Sequence, residues 1–280
     1  MTEQKQDTGK FRQNTKDQFY TKTSIAKECI DSILSKYPEA SKYMWIEPSA
    51  GNGSFLNLIP RTIQSIGMDI DPRAPNIQKL DFLKWLSITD GEKVYFGNPP
   101  FGSQGSLAKS FIKHAVTNNA KVIAFILPRS FMKPSMNSAF PLKFHCIHEK
   151  ELPKDSFEVN KVSYDVPCVF QIWVKMDENR ELDEKVEPFG FKYVKSTEIY
   201  HMAFRRVGVN AGTCYLKDTI EKSPQSHYFL SFDGEYLPRL AHIKEQINNH
   251  TFPSNTVGPR SLSKSETNTV INSILLRLTA

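Results

Sequence analysis

The chain has 280 residues, of which 39% are hydrophobic, and its formal net charge at pH 7 is +6. This length suits one large α/β domain with an appendage or two small domains, and the apolar content is sufficient for a packed core. No apolar run approaches about 20 residues and the N-terminus is polar, which predicts an intracellular protein that is neither secreted nor inserted in a membrane. The positive charge permits an anionic partner such as nucleic acid without requiring one.

The four cysteines, Cys29, Cys146, Cys168 and Cys214, are widely spaced and form no Cys-x-x-Cys pair. Neither a disulfide framework nor a metal site is therefore predicted, and we expect reduced thiols in the core.

The N-terminal region divides into an arm and a helix. Residues 1–14 contain basic side chains but too few apolar ones to pack, which predicts a flexible basic arm. From Ile25 to Leu34 the apolar residues recur at helical spacing, and Thr23 or Ser24 is a natural N-cap for this helix.

A glycine-containing segment, residues 47–55, follows a short apolar strand at 43–46 and precedes an amphipathic stretch at 55–59, predicted to be helical. Glycines let a backbone approach a ligand closely, and a helix N-terminus presents free amides. The segment matches neither the dinucleotide fingerprint nor the phosphate loop, so the pattern favours a nucleotide-like ligand other than NAD or ATP.

Acidic residues end or follow the next predicted elements. Asp69 closes a strand at 65–70 and lies about 20 residues beyond the glycines, the spacing at which a carboxylate reaches ribose hydroxyls. Asp81 opens another turn before the strand at 94–96. Each acid could be only a cap, but their joint alignment at strand ends favours a ribose-containing ligand without a pyrophosphate.

The hexapeptide Gly-Asn-Pro-Pro-Phe-Gly, residues 97–102, comes directly after the strand at 94–96. Asn98 precedes a proline and is held extended, while Pro99 and Pro100 fix their own φ angles. The carboxyl end of a strand is where open α/β sheets bind ligands, although a proline-rich loop without function would show the same features.

Further strands and helices continue the alternation. A helix is predicted from Ser106, a strand at 121–127, and an antiparallel edge pair at 143–152 and 163–175. Phe157 lies in the loop between the last two, where it either packs against the protein or stacks on a nucleic-acid base.

A charged segment, residues 177–187, marks a boundary, after which short strands and two helices are predicted. The predicted strands are 191–194, 198–204 and 228–232, and the helices are 237–247 and 268–276. Arg205, Arg206 and Lys217 lie near aromatic residues, which suits nucleic acid but equally fits solvated cations beside a core.

Four segments in this order resemble the motifs of class I S-adenosylmethionine (AdoMet)-dependent methyltransferases of the N6-adenine type: 47–55, 69–71, 81–83 and 98–101. The resemblance covers about residues 16–175, and the C-terminal third matches no family. It implies a Rossmann-like α/β sheet, mostly parallel with an antiparallel edge strand, and a smaller α+β C-terminal region. The implied domains are an AdoMet-binding catalytic domain at 15–178 and a candidate substrate-recognition region at 179–280.

The resemblance also implies the residue roles. Asp69 would hold the ribose, Ile70 would pack on the cofactor adenine, and Phe19 to Thr23 would close over the methionine, with Lys22 where a proline is usual. The implied cofactor-binding residues are Tyr20, Thr21, Glu47, Ser49, Ala50, Gly51, Asn52, Gly53, Asp69, Ile70, Asp81, Phe82 and Asn98.

The implied catalytic residues are Asn98, Pro99, Pro100 and Phe101. The Asn98 side-chain oxygen and the Pro99 carbonyl would accept both N–H groups of the target amine and draw its nitrogen toward tetrahedral geometry, without a metal or a histidine base. Phe101 and Phe157 would stack on the two faces of the target base.

Several substrates remain open for this chemistry. Adenine N6 in DNA is favoured because the motif order is similar to the gamma arrangement of DNA methyltransferases. The alternatives are RNA, including cap adenosine, then a protein glutamine amide, and then a non-catalytic nucleic-acid-binding subunit with this fold. The target sequence and the oligomeric state are not predicted.

Overall fold

The computed structural model of the protein describes residues 19–159, 162–181, 186–218, 221–252 and 260–279. The chain forms two compact units, Met1–Leu182 and Asp183–Ala280, so the division falls within the charged segment at 177–187. The predicted basic arm at residues 1–14 lies outside the described residues.

Among its described residues, the first unit contains a seven-stranded sheet, a small three-stranded sheet and two α-helices. Its strands are β1 (Tyr20–Thr21), β2 (Met44–Glu47), β3 (Ser65–Asp69), β4 (Gln78–Lys79), β5 (Lys93–Gly97), β6 (Ala120–Pro128), β7 (Phe144–Glu151), β8 (Phe157–Val159), β9 (Val162–Tyr164) and β10 (Cys168–Lys175). Its α-helices are α1 (Thr23–Lys36) and α2 (Ser106–Thr117).

The large sheet has the order β4-β3-β2-β5-β6-β10-β7. Strands β4, β3, β2, β5 and β6 pair in parallel, whereas β10 is antiparallel to both of its neighbours. The predicted Rossmann-like α/β fold is therefore confirmed. The predicted edge pair is β10 and β7, and the antiparallel strand lies one place in from the edge.

Strand order reverses between β2 and β5, which are neighbours in the sheet although β3 and β4 lie between them in sequence. At such a switch point the loops leaving the two strands diverge and open a crevice at their carboxyl ends. Apolar cores cover both faces of the sheet, one including Ile30 and Ile33 of α1 and the other including Phe111 and Ile112 of α2. Burial on both faces explains the continuous apolar run of β6.

Three local predictions were wrong. Helix α1 already includes Thr23 and Ser24, its N-cap is Lys22, and no side chain caps it. The stretch at 55–59 forms only a 3₁₀ turn, Leu56–Leu58, because Pro60 disfavours helical geometry in the residue before it. The predicted strand at 163–175 is divided into β9 and β10, with Pro167, which cannot donate a ladder hydrogen bond, between them.

The second unit is an antiparallel sheet packed on two helices, which confirms the predicted α+β region. Its elements are β11 (Phe191–Val194), β12 (Met202–Arg205), β13 (Cys214–Leu216), β14 (His227–Phe232), α3 (Leu240–Asn249) and α4 (Lys264–Thr279). The sheet order is β11-β14-β12-β13. Helix α3 begins later than predicted, because the segment with Pro238 forms a 3₁₀ turn.

Cys29, Cys168 and Cys214 are buried free thiols, as expected, but Cys146 on β7 is exposed. Among the described residues, no helix combines the length and the apolar content that a membrane span requires.

Candidate active site

A cavity of about 680 Å³ lies at the carboxyl ends of β2, β3 and β5, where the strand order reverses. It lies where an open α/β sheet binds ligands, and its volume is in the range of small-molecule sites. All the predicted cofactor-binding residues except Gly53 line it. The lining residues are Phe19, Tyr20, Thr21, Glu47, Pro48, Ser49, Ala50, Gly51, Asn52, Phe55, Asp69, Ile70, Asp71, Asp81, Phe82, Leu83, Asn98, Pro100, Leu107 and Phe111.

The glycine loop is held against β1 and β3. Gly51 has a φ of +51°, and a Cβ at this position would lie 3.1 Å from the Tyr20 ring. Gly53 has a φ of +81°, does not line the cavity, and is backed by Asn57. Gly51 therefore permits a close approach of the loop to Tyr20, whereas Gly53 provides the positive φ angle that the turn requires.

Asp69 connects the end of β3 to this loop. Its Oδ2 accepts a hydrogen bond from the Gly51 amide at 2.8 Å, and its Oδ1 accepts one from the Asp71 amide at 2.8 Å. Each oxygen retains a second lone pair with which it can accept from a ligand hydroxyl. Ile70 beside it is 69% exposed, which leaves an apolar side chain available to a flat ligand.

The other end of the cavity contains Asp81 and Phe82. The Asp81 carboxylate accepts from the Leu83 amide at 3.1 Å and caps a 3₁₀ turn. Phe82 is 1% exposed and packs edge-on against His114, with ring centroids 4.8 Å apart. Phe82 therefore lies beneath this end of the cavity, and little of its ring is exposed to a ligand.

Glu47 is a buried carboxylate at the end of β2. Burial raises its pKa well above the usual range; a hydrogen bond from the Leu56 amide at 2.9 Å opposes that shift, and the charge of Asp69 adds to it. No lysine or arginine is among the described residues that line this cavity. An uncompensated buried carboxylate fits a cationic ligand group.

Gly97, the first residue of the hexapeptide, lies against the Glu47 side chain. Its φ is +114°, and a Cβ here would lie 3.1 Å from Glu47 Cγ. A side chain at position 97 would therefore be strained and would also press on the buried carboxylate. The glycine before Asn98 is required by both the backbone conformation and the neighbouring acid.

Asn98 is held by two hydrogen bonds, yet one of its polar atoms has no partner. Its Nδ2 donates to the Phe19 carbonyl at 3.1 Å, and its own carbonyl accepts from Ser49 Oγ at 3.0 Å. Its Oδ1 is buried and has no hydrogen-bond partner among the described residues. Leaving such an acceptor unpaired costs about 1–3 kcal/mol, and native proteins rarely tolerate it without a functional reason.

Of the remaining predicted catalytic and substrate residues, three do not line the cavity. Pro100 lines it, but Pro99 and Phe101 do not, and Phe101 is 8% exposed within the core that includes α1. The sequence predicts a loop at Phe157, but Phe157 begins β8, pairs with Thr21, and is 1% exposed in the same core. The packing alternative is therefore correct for Phe157, because the small sheet of β1, β8 and β9 buries its ring.

Seven lining residues had no individual role assigned to them: Phe19, Pro48, Phe55, Asp71, Leu83, Leu107 and Phe111. The first five lie within the predicted motif segments 19–23, 47–55, 69–71 and 81–83. Leu107 and Phe111 are one helical turn apart on α2, a spacing indistinguishable from that of core residues. Within the described residues, no group of three or more His, Cys, Asp or Glu side chains could hold a metal ion.

No family model matches the chain, and no curated protein sequence matches it. Solved structures do match. A proposed RNA methyltransferase from Pyrococcus horikoshii is 16% identical, over 54% of this chain and 83% of that one, with a TM-score of 0.41. A proposed class I AdoMet-dependent methyltransferase from Listeria monocytogenes is 14% identical, over 59% of this chain and 63% of that one, with a TM-score of 0.43.

A third match is the magnesium protoporphyrin IX methyltransferase of Synechocystis PCC 6803 with bound AdoMet. It is 8% identical, over 55% of this chain and 79% of that one, with a TM-score of 0.39. Identities this low do not transfer an activity, so the function has to be argued from the residues of the site.

Proposed function

We propose that this chain is an AdoMet-dependent methyltransferase that modifies the N6 amino group of adenine in nucleic acid, with DNA as the favoured polymer. The observation that carries the proposal is the buried, unpartnered Oδ1 of Asn98 at the cavity. The cavity around this acceptor has an acidic lining that suits AdoMet, so the acceptor would lie beside a methyl donor.

The charge of the cavity supports AdoMet as the cofactor. Four carboxylates line it, from Glu47, Asp69, Asp71 and Asp81, and no basic side chain does so among the described residues. AdoMet has a net positive charge and no phosphate, in contrast to NAD and ATP, and supplies a methyl group on a sulfonium. An acidic lining favours the first ligand and repels the other two.

The proposed contacts follow the position of each side chain. Glu47 would bind the ammonium group of the methionine part, which compensates its buried charge. The second lone pairs of Asp69 would accept from the ribose hydroxyls, and the exposed Ile70 would cover one face of the cofactor adenine. The residues present thus fit the ammonium, ribose and adenine groups of AdoMet.

Asn98 would act on the target amine. The lone pair of adenine N6 is delocalised into the ring, and two acceptors that hold both N–H groups shift it toward the geometry needed for attack. We assign these acceptors to Asn98 Oδ1 and the Pro99 carbonyl. The Phe19 carbonyl takes the Nδ2 hydrogen, which orients the amide with its oxygen free for the substrate.

The proposal is tested by incubating the full chain with methyl-labelled AdoMet and, separately, duplex DNA, single-stranded DNA, RNA and protein. Mass spectrometry of the digested products should find N6-methyladenine in at least one nucleic acid. Label on RNA alone would correct the polymer and retain the chemistry. Label on protein glutamine alone, or no transfer to any nucleic acid, would refute the adenine proposal.

A further inference from the structure

The second unit contains a cavity of its own, about 380 Å³ in volume, where β11 ends and β14 begins. Two lysines line it, and no carboxylate does so among the described residues. The lining residues are Tyr193, Val194, Lys195, Ser196, Thr197, Pro224, His227, Tyr228, Phe229 and Lys264. The cavity therefore combines aromatic rings with positive charge.

Cations lie over the aromatic rings of this cavity. Lys264 Nζ is 4.4 Å from the centroid of the Tyr193 ring, and Arg206 Cζ is 5.4 Å from that of Tyr228. The two tyrosines meet edge to face, with centroids 5.3 Å apart. The Tyr193 hydroxyl donates a hydrogen bond to Asn268 Oδ1 at 2.6 Å, which holds the Tyr193 ring in place.

The lysines are available to an outside anion. None of the described ion pairs involves Lys195 or Lys264. Two acids near these lysines in sequence accept hydrogen bonds from the backbone: Glu198 accepts from the Lys195 amide at 2.7 Å, and Glu266 accepts from the Ser263 amide at 2.8 Å. These contacts occupy the acids without neutralising the lysine side chains.

The inner wall of the cavity is uncharged. His227 is 8% exposed, its Nδ1 lies 3.0 Å from Ser226 Oγ, and burial lowers its pKa, so the ring is neutral at pH 7. Phe229 beside it is 4% exposed. An apolar, aromatic wall with cations at its edge matches a nucleotide, whose base is flat and whose phosphate is anionic.

We propose that this cavity binds one unpaired nucleotide of the nucleic-acid substrate, at a position separate from the methylation site. The base would lie against the tyrosine rings, and Lys195 and Lys264 would contact the flanking phosphates. The inference rests on the proposed nucleic-acid substrate. An unpaired nucleotide is specified because a concave cavity of this volume admits a single base, whereas a duplex keeps its base faces stacked.

The test measures binding of the full chain to fluorescent oligonucleotides over a series of salt concentrations. Single-stranded DNA, single-stranded RNA and duplex DNA of one sequence are compared. The test variant is Lys195→Gln with Lys264→Gln. The matched control is Lys244→Gln with Arg277→Gln, which removes the same charge from α3 and α4 at positions outside the cavity.

Loss of two phosphate contacts should reduce the slope of log affinity against log salt by about 1.4 for a single strand, and affinity by roughly tenfold at 0.15 M salt. The control should bind like the wild type, and both variants should retain wild-type AdoMet affinity by calorimetry. Oligonucleotides containing 4-thiothymidine or 4-thiouridine should photocrosslink to the peptide containing His227 and Tyr228. The DNA and RNA arms identify which polymer supplies the nucleotide.

Other outcomes separate the two proposals. If the wild type binds and methylates nucleic acid but the cavity variant keeps its slope, the inference is refuted and the proposed function stands. Equal losses in the control, or tighter binding of duplex than of single strand, also refute it. If the wild type binds AdoMet but no nucleic acid, the proposed substrate class fails together with the inference.

Discussion

The methyltransferase-site cavity of the first unit and the lysine-lined cavity of the second unit have linings of opposite charge. The cavity of the first unit is lined by four carboxylates, and that of the second by two lysines beside tyrosine rings. Phosphates would be repelled by the first lining and attracted by the second, whereas a sulfonium with an ammonium group would show the reverse preference. A net charge of +6 for the whole chain conceals this difference.

Under the two proposals, the first cavity carries out the chemistry and the second binds the polymer. The first cavity contains the unpartnered acceptor of Asn98, which is suited to hold an amine. The second contains rings and cations, which are suited to hold a nucleotide without reacting with it. Substitutions at Phe157, Asn98, Asp69 and Glu47 test this separation.

The largest expected effect concerns Phe157, which lies outside both cavities. Replacing its buried ring by Phe157→Ala should reduce the free energy of unfolding by about 3–5 kcal/mol, because the packed core cannot refill the space. Thermal and urea denaturation measure this loss, with Phe189→Ala, 44% exposed in the second unit, as the control. A stable variant with a raised KM for nucleic acid would instead restore Phe157 as a substrate contact.

Asn98→Ala removes the unpartnered acceptor and should reduce the rate of methyl transfer by about 10²–10³-fold, the usual loss for one preorganised hydrogen-bonding group. AdoMet affinity should stay within a few-fold of the wild type by calorimetry, since the proposed cofactor contacts of Glu47 and Asp69 remain. Asn76→Ala, on an exposed loop, is the control. Transfer at the wild-type rate would remove Asn98 from the chemistry.

Asp69→Ala should weaken AdoMet binding by about 10–100-fold, because both the proposed ribose contact and the bond to the Gly51 amide are lost. Asp31→Ala is the matched control, since the Asp31 carboxylate pairs with Lys27 on the exposed face of α1 and does not line the cavity, so its loss should change the affinity little. Unchanged calorimetric affinity for the Asp69 variant would contradict its ribose role.

The smallest effect is a pH dependence from Glu47. Its pKa is raised in the folded state above the ordinary 4.5, so the folded protein binds the proton more tightly than the unfolded chain does. Its contribution to stability is present below pH 4.5 and is lost as the pH rises through the raised pKa. Without AdoMet, Glu47→Gln should melt a few degrees higher than the wild type at pH 8, with no difference at pH 4. Equal melting at pH 8 would show that the buried carboxylate is already compensated.

Much of the first site follows from the sequence because its residues occur at strand ends. Alternating apolar strands and polar turns bring Glu47, Asp69 and Asn98 to one edge of a parallel sheet, whatever the details of packing. Errors arose where a short segment depended on its surroundings. Leu56–Leu58 is a single turn because Pro60 follows, and Phe157 is buried because β8 pairs with β1. Local patterns do not report such distant partners.

The second cavity shows more clearly that a sequence pattern does not predict contacts between residues far apart in the chain. Arg206 and Tyr228 could be noted as basic and aromatic neighbours, but Tyr193 and Lys264 are 71 positions apart, and only folding places them together. Composition alone does not distinguish a cation over a ring from one in solvent. The antiparallel sheet positions Tyr193, and the start of α4 places Lys264 over its ring.

The sequence by itself determined which groups could hold and activate an amine: an asparagine before two stiff prolines, and acids at the ends of neighbouring strands. These features depend on local backbone rules, which act within a few residues. Only the tertiary structure decided that the Phe19 carbonyl, 79 positions from Asn98, accepts its amide hydrogen. That contact orients the side chain and leaves its oxygen free, and no local pattern specifies it.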